Sequence, residues 1–208
     1  MFSPNVIASQ VLLKGRSLVF LESPTIETDR LILRMATQQD VSAILTYYRE
    51  NKTFLEAFEP TRSDGFYTAQ FWQDQIEKAL FELSYEQSLK LCILHKNNPA
   101  SIIGKINFHQ MQRGVSQSCV VGYSLAEQEQ SKGYMTEALG SAIDYLFTKQ
   151  NFHRITANYM PRNQRSGNVL RRLGFVVEGY ARDYLLINGR WEDHILASLT
   201  NLHWQNVD

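Results

Sequence analysis

The segment Glu129-Gln130-Ser131-Lys132-Gly133-Tyr134-Met135-Thr136-Glu137-Ala138 joins a predicted strand to a predicted helix. The apolar run at residues 119–125 predicts the strand. The helix is indicated by apolar residues at helical spacing, namely Met135, Ala138, Leu139, Ala142, Ile143, Leu146 and Phe147. A polar turn before a helix presents unpaired backbone N–H groups at the positive end of the helix dipole, which favours an anion, best a diphosphate. Lys132 adds a cation, and Gly133 lets the backbone approach a ligand closely.

This turn matches neither the Walker loop nor the G-x-G-x-x-G fingerprint. It resembles the coenzyme signature of the GNAT acetyltransferases, (Gln/Arg)-x-x-Gly-x-(Gly/Ala), which reads here Gln130-x-x-Gly133-x-Met135 with methionine in the last place. Three further elements carry the resemblance: Thr28-Asp29-Arg30-Leu31-Ile32-Leu33-Arg34, Asn163-x-x-Ser166 and Leu173-Gly174-Phe175. Together they cover roughly residues 25–204 in the order of the family.

Three longer segments, residues 51–60, 153–161 and 178–189, are similar to the RimJ-type ribosomal-protein alanine N-acetyltransferases of that family. The resemblance implies an α+β GNAT fold, with a mixed, mostly antiparallel twisted sheet flanked by helices. Its central strands are expected to splay apart and bind acetyl-CoA. The implied reaction is acetyl transfer to the N-terminal α-amine of alanine on a small-subunit ribosomal protein, by direct attack in a ternary complex. The ribosome or its assembly intermediates are further expected partners.

Composition narrows the function classes. Lys+Arg and Asp+Glu are both 21 in 208 residues, and this zero net charge argues against a protein that coats or directly reads nucleic acid. A basic cluster at Arg162, Arg165, Arg171 and Arg172 could be a local patch or a solvated helix face. Both cysteines fall in apolar runs and are expected to be buried reduced thiols. Without a membrane-length apolar run or a secretion signal, the sequence predicts a cytoplasmic protein with no membrane partner.

The predicted organisation is an N-terminal extension at residues 1–25 (an arm or a short hairpin), one domain at 26–204 and a tail at 205–208. The predicted order is β-α-α-β-β-β-α-β-α-β-β. Strands are expected at 31–35, 89–95, 102–108, 118–125, 154–160, 176–187 and 191–199. The other predicted helices begin near residue 39, run through 71–83 and span about 165–173. Asn188-Gly189 predicts a type I′ hairpin turn between the last two strands.

The resemblance places the coenzyme diphosphate on the 130–135 turn and the pantetheine arm along residues 121–125, pairing like another strand. One backbone N–H near Leu125 would then support the thioester oxygen. The expected coenzyme contacts are Tyr123, Ser124, Leu125, Gln130, Ser131, Lys132, Gly133, Tyr134, Met135, Thr136, Asn163 and Ser166.

Asn163 and Ser166 are also the catalytic candidates nearest the expected position of the sulfur. Some relatives carry a tyrosine general acid three residues before L-G-F, where this chain has Leu170, so Ser166 is the remaining hydroxyl for the departing thiolate. Ser166 is equally suited to be the N-cap of the helix that ends at Leu173, and the two roles are compatible.

No strong base is evident, because Asn158 stands where some alanine-acetylating relatives carry a glutamate. An α-amine has a pKa of about 7.7–8.0 and lysine about 10.4, so neutralising the α-amine costs roughly 3.5 kcal/mol less. The missing base therefore favours an α-amine acceptor. Glu59 and Asp183 are candidates to hold the amine, each with the alternative of an exposed loop charge or a salt-bridge partner. The expected acceptor contacts are Phe58, Glu59, Asn158 and Tyr184.

The five histidines lack paired ligand spacing, and no metal is predicted. Two rival functions stay open. One is acetylation of a small amine such as an antibiotic or polyamine. The acceptor loops at residues 54–64 and 183–190 would distinguish this function from peptide acetylation by the shape of the acceptor pocket. The other is a ribosome-assembly factor that works by docking.

Overall fold

Alternating apolar residues build one mixed sheet of eight strands in the computed structural model, which describes residues 23–206. The strands are β1 (Thr25–Glu27), β2 (Leu31–Arg34), β3 (Leu89–His95), β4 (Asn98–Gln112), β5 (Ser118–Leu125), β6 (Arg154–Tyr159), β7 (Val176–Ile187) and β8 (Arg190–Thr200). Their order across the sheet is β1-β2-β3-β4-β5-β6-β8-β7, and every neighbouring pair is antiparallel except β5 and β6. The predicted α+β class with a mostly antiparallel sheet is confirmed.

Helices cover the two faces of this sheet. They are α1 (Val41–Glu50), α2 (Lys52–Glu56), α3 (Ala69–Ser84), α4 (Tyr134–Thr148) and α5 (Gln164–Arg172). The apolar stripe of α4 is buried in the larger core, with Ala138 and Leu139 fully inaccessible. A second core forms between α1 and α3 on the opposite face of β3 and β4, where it buries Leu94 and Ile102. Each fully buried leucine or isoleucine contributes about 1.5–3 kcal/mol.

The feature that creates a site is the separation of β5 from β6. These two strands pair only through residues 118–120 and 154–156. Both continue past this point, β5 paired to β4 and β6 paired to β8, so their facing edges open into a gap. Ala126 N–H donates to the Ile103 carbonyl at 2.8 Å, on the β4 side. Because backbone groups alternate sides along a strand, the N–H groups of Tyr123 and Leu125 face the gap.

Most predicted elements are confirmed, and β3, β5 and β7 have the predicted bounds. The strand predicted at 102–108 is longer, because the turn before it lies at residues 96–97 and Asn98 already pairs with His95. Asn188 and Gly189 have φ of 45° and 76°, as a type I′ turn requires. The sequence did not predict β1 or α2, which at three and five residues are too short to show a period.

The predicted arm or hairpin in the N-terminal extension falls almost wholly on residues 1–22, outside the described residues, as do residues 207–208 of the predicted tail. The domain boundaries stay predictions. Within residues 23–206 no helix is long and apolar enough to cross a membrane.

Candidate active site

A cleft of about 1120 Å³ occupies the gap between β5 and β6 and continues across the sheet face. One end, the turn end, is formed by residues 130–136 at the start of α4. The other, the charged end, is formed by Glu59, Arg62 and Lys105. The volume slightly exceeds that of ordinary small-molecule sites, so a coenzyme arm and a second substrate can share the cleft.

The turn end is built by backbone. Ser131 and Gly133 have φ of 63° and 82°, and Gly133 is the N-cap of α4. The first helical hydrogen bond runs from Glu137 N–H to the Gly133 carbonyl at 3.0 Å. The N–H groups of residues 134–136 come before that bond and have no partner within the helix, so they are available to an anion. The expected anion site at this turn therefore has the required geometry.

Two side chains of the turn differ in where they point. Gln130 Nε2 donates to the Leu125 carbonyl at 3.0 Å, which ties the turn to the end of β5. Lys132 Nζ instead pairs with Glu129 at 3.0 Å, and its side chain is absent from the residues that line the cleft. The cation expected from Lys132 thus neutralises a neighbouring carboxylate.

At α5 the cap is Asn163, not Ser166. Asn163 Oδ1 accepts from the Ser166 N–H at 3.2 Å, and α5 begins at Gln164. The prediction that Ser166 could be the N-cap is wrong, because the preceding asparagine already satisfies the helix N-terminus. The Ser166 hydroxyl is free of capping and lies 2.8 Å from the Tyr123 hydroxyl, in the cleft wall. Burial raises the pKa of Tyr123, so this phenol stays neutral.

The charged end holds a closed ion cluster. Glu59 Oε1 lies 3.2 Å from Lys105 Nζ, and Glu59 Oε2 accepts from Arg62 at 2.8 Å. Lys105 also contacts the Tyr48 hydroxyl. Burial raises the pKa of Glu59, but Lys105 and Arg62 outweigh burial and hold it below its usual value. Glu59 is therefore a salt-bridge partner rather than an exposed loop charge, and with both oxygens paired it is a weak base.

The remaining predicted residues lie in different places. Phe58 and Asn158 line the cleft, and Asn158 Nδ2 donates to the Tyr184 hydroxyl at 3.3 Å. Tyr184 itself is absent from the cleft wall and packs beside His194, with ring centroids 5.5 Å apart. Asp183 is exposed at a bulge of β7 and its N–H donates to Asp193, so the structure does not bring it into the cleft.

The other predicted coenzyme contacts line the cleft. They are Tyr123, Ser124, Leu125, Gln130, Ser131, Gly133, Tyr134, Met135, Thr136, Asn163 and Ser166.

Residues 30–176 match the family model described as acetyltransferase (GNAT) domain. The chain belongs to the GNAT acetyltransferase family. It is 43% identical over 177 residues to the [ribosomal protein uS5]-alanine N-acetyltransferase of Escherichia coli (strain K12), a match covering 85% of this chain and 91% of that protein.

Two solved structures are similar to this GNAT chain. The ribosomal-protein-S5-alanine acetyltransferase from Vibrio fischeri superposes with a TM-score of 0.84 at 37% identity, covering 88% of this chain and 100% of that one. Mycobacterium smegmatis RimJ in complex with CoA-disulfide gives 0.78 at 25% identity, covering 86% of each chain. This GNAT chain is an acetyltransferase, and its acyl donor is acetyl-CoA. The open edge of β5 and the free N–H groups of the turn fit the pantetheine arm and the diphosphate.

Several cleft residues of this GNAT chain were not predicted. Lys105, Asn107 and His109 are polar residues at alternate positions of β4, and this period-2 pattern inside an apolar strand was a readable signal. Burial and Lys90 lower the pKa of His109, which keeps its ring neutral at neutral pH. Arg62 could not be found this way, because it lies in a loop and meets Glu59 and Lys105 only in the fold.

The four arginines of the basic cluster, Arg162, Arg165, Arg171 and Arg172, do not form a single patch. Arg165 and Arg172 line the cleft. Arg162 pairs with Glu192 at 2.9 Å, and Arg171 bonds to Asn168 at 3.0 Å.

Both cysteines are free thiols. Cys119 is buried and Cys92 is less so, and burial raises the pKa of each to about 12. Neither thiol is a nucleophile at neutral pH.

Proposed function

We propose that this acetyltransferase transfers the acetyl group of acetyl-CoA to the N-terminal α-amine of alanine on a small-subunit ribosomal protein. The observation that carries the proposal is 43% identity over 91% of the length of a uS5-alanine N-acetyltransferase. The enzyme would act in the cytoplasm, on the free ribosomal protein or on the ribosome or its assembly intermediates.

The cleft residues fit direct attack of the amine on the thioester. The amine nitrogen bonds to the thioester carbon, and the Leu125 N–H, which faces the gap, supports the oxygen as negative charge develops. When the carbon–sulfur bond breaks, the attacking nitrogen loses one proton to solvent, and the departing thiolate gains one from solvent through the Ser166 hydroxyl, which is placed to relay it. Asn163 holds the helix turn that carries Ser166. Asn158 is the polar side chain we assign to the incoming backbone, with Tyr184 holding its amide.

The charged end favours a peptide over a polyamine. Lys105, Arg62 and Glu59 together carry a net charge of +1, so Glu59 is not free to attract a polycation. Lys105 and Arg62 both line the cleft. Their net positive charge repels the ammonium groups of a polyamine and suits the carbonyl oxygens of a peptide.

The test is a coenzyme-release assay with acetyl-CoA and a short peptide that reproduces an alanine N-terminus of a small-subunit ribosomal protein. We expect release with the free peptide, and none with the same peptide blocked at its N-terminus or with one whose only amine is on lysine. Release with spermidine but not with the alanine peptide would contradict the proposal. A strongly salt-dependent association with ribosomal particles without any acetylation would instead favour the docking role.

A further inference from the structure

The turn between β1 and β2 reaches the start of α4, more than 100 residues away in sequence. Glu137 is the common partner: its carboxylate accepts from Thr28 Oγ1 at 2.6 Å, from Arg30 N–H at 2.9 Å and from Arg30 Nε at 2.7 Å. Arg30 NH2 completes the ion pair at 2.6 Å. These contacts give a physical role to the T-D-R element of the sequence, which the reaction chemistry leaves unexplained.

Arg30 also holds the turn itself. Its NH1 donates to the Lys132 carbonyl at 3.1 Å, and its guanidinium lies 4.4 Å from the centroid of the Tyr134 ring. Carbonyl and N–H of one trans peptide point in opposite directions. With the Lys132 carbonyl held by Arg30 outside the cleft wall, the Gly133 N–H of the same peptide points the other way, and Gly133 lines the cleft.

The contact has an electrostatic consequence as well. Glu137 lines the cleft in the first turn of α4, where a carboxylate suits the helix dipole but would repel a diphosphate on the adjacent N–H groups. Arg30 neutralises this carboxylate at close range. An anion can then use the helix N-terminus without meeting an uncompensated charge.

We propose that Arg30 is a positioning residue for the coenzyme diphosphate, acting through the Lys132 carbonyl, the adjacent peptide plane and Glu137. The proposal depends on the acetyl-CoA chemistry of the family and not on which acceptor the enzyme uses. It is therefore tested by binding alone, without any peptide.

The experiment compares Arg30→Met with the unchanged protein by calorimetric titration of three ligands. Acetyl-CoA and ADP carry the diphosphate, and S-acetyl-pantetheine does not. We expect Kd for acetyl-CoA and ADP to rise roughly tenfold or more, as for a lost charge-assisted hydrogen bond. Kd for S-acetyl-pantetheine should not change. Arg30→Lys keeps the charge but not the planar fork, and should give a smaller rise.

Lys96→Met is the matched control, because it removes a nearby ion pair, Lys96–Glu27 at 3.2 Å, that does not contact the turn. It should bind all three ligands normally. Unchanged acetyl-CoA binding by Arg30→Met would overturn the proposal, and so would an equal loss of S-acetyl-pantetheine, which would mark a general structural role. If Arg30→Met does not fold, the same two criteria apply to Arg30→Lys.

Discussion

At the turn end of the cleft a ligand meets backbone groups, whereas at the charged end it meets a cluster of half-buried charged side chains. The turn end is contiguous in sequence, since strand, turn and helix N-terminus all lie within residues 118–137. The charged end joins Glu59 and Arg62, from the loop after α2, to Lys105 in the middle of β4. A backbone site tolerates many side chains and serves one invariant ligand. A side-chain site changes with each substitution, so it suits the acceptor that we propose for this enzyme.

Lys105→Met should have the largest effect, because the charged end contributes to the stability of the fold through its ion pairs. Glu59 would keep only Arg62, leaving a largely buried carboxylate half-compensated. We expect a loss of about 3 kcal/mol in unfolding free energy, measured by denaturant titration. Lys96→Met, which breaks an exposed pair, should cost less than about 1 kcal/mol. Equal losses in the two variants would show that the charged end is no more than a surface cluster.

Ser166→Ala should come next, because it removes the hydroxyl assigned to the departing thiolate. We expect kcat with the alanine peptide to fall roughly 10- to 100-fold, equivalent to one hydrogen bond to a charged group. Unfolding free energy should hardly change, since Asn163 remains the cap of α5. Ser84→Ala removes a hydroxyl at the exposed end of α3 and is the control. A kcat within twofold of the unchanged enzyme would exclude Ser166 from proton transfer.

The two ends also differ in how far the sequence predicted them. At the turn end, the strand, the helix and the glycine between them were predicted from the sequence, because all three form through local backbone geometry. Lys132 was assigned to the ligand because the sequence does not show which of its neighbours, here Glu129, its flexible chain will pair with. The N-cap was an alternative role for Ser166; serine and asparagine are both strong caps, and only the backbone angles show that Asn163 is the cap.

Long-range partners were beyond sequence reasoning. Arg30 and Glu137 meet because β1 and β2 lie beside α4, and Lys105 meets Glu59 because the loop after α2 folds over β4. The polar alternation of β4 marks Lys105 as a cleft residue, but nothing in the sequence indicates that Glu59 is its partner or that Arg30 pairs with Glu137. The splay between β5 and β6 was expected from the family resemblance alone, since two apolar strands give no sign of where their pairing stops.

Gly133→Ala tests whether the turn end depends on its backbone conformation to bind the coenzyme. An alanine at φ of 82° costs about 1–2 kcal/mol, and its Cβ would lie 3.4 Å from Arg30 NH2. We expect acetyl-CoA to bind roughly tenfold more weakly by calorimetry. Gly114→Ala is the matched control, because φ there is 67° and nothing lies within 4 Å. It should lose similar stability and keep its affinity, and weakened binding in both variants would point to global strain instead.

The pH dependence of the unfolding free energy should show how much the ion pairs of Glu59 at the charged end contribute to stability. Its folded pKa is below the unfolded value of about 4.3, so its stabilising contribution is complete above that pH and disappears as pH falls through the folded pKa. The difference in unfolding free energy between the unchanged protein and Glu59→Gln should be constant from pH 7 to 5 and shrink towards pH 3. The contributions of the other carboxylates cancel, because both proteins contain them. A difference that grows on acidification would contradict the lowered pKa.

Asn158→Ala should have the smallest effect, and it tests whether the acceptor side extends beyond the charged end. Losing one neutral hydrogen bond, worth about 0.5–1.5 kcal/mol, should raise KM for the peptide roughly three- to tenfold and leave KM for acetyl-CoA unchanged. Tyr184→Phe removes only the hydroxyl that accepts from Asn158 and should give a smaller rise of the same kind. If Asn158→Ala instead raised KM for acetyl-CoA, Asn158 would be a coenzyme contact, like the residues of β5 and the turn. The acceptor contacts would then be confined to the charged end.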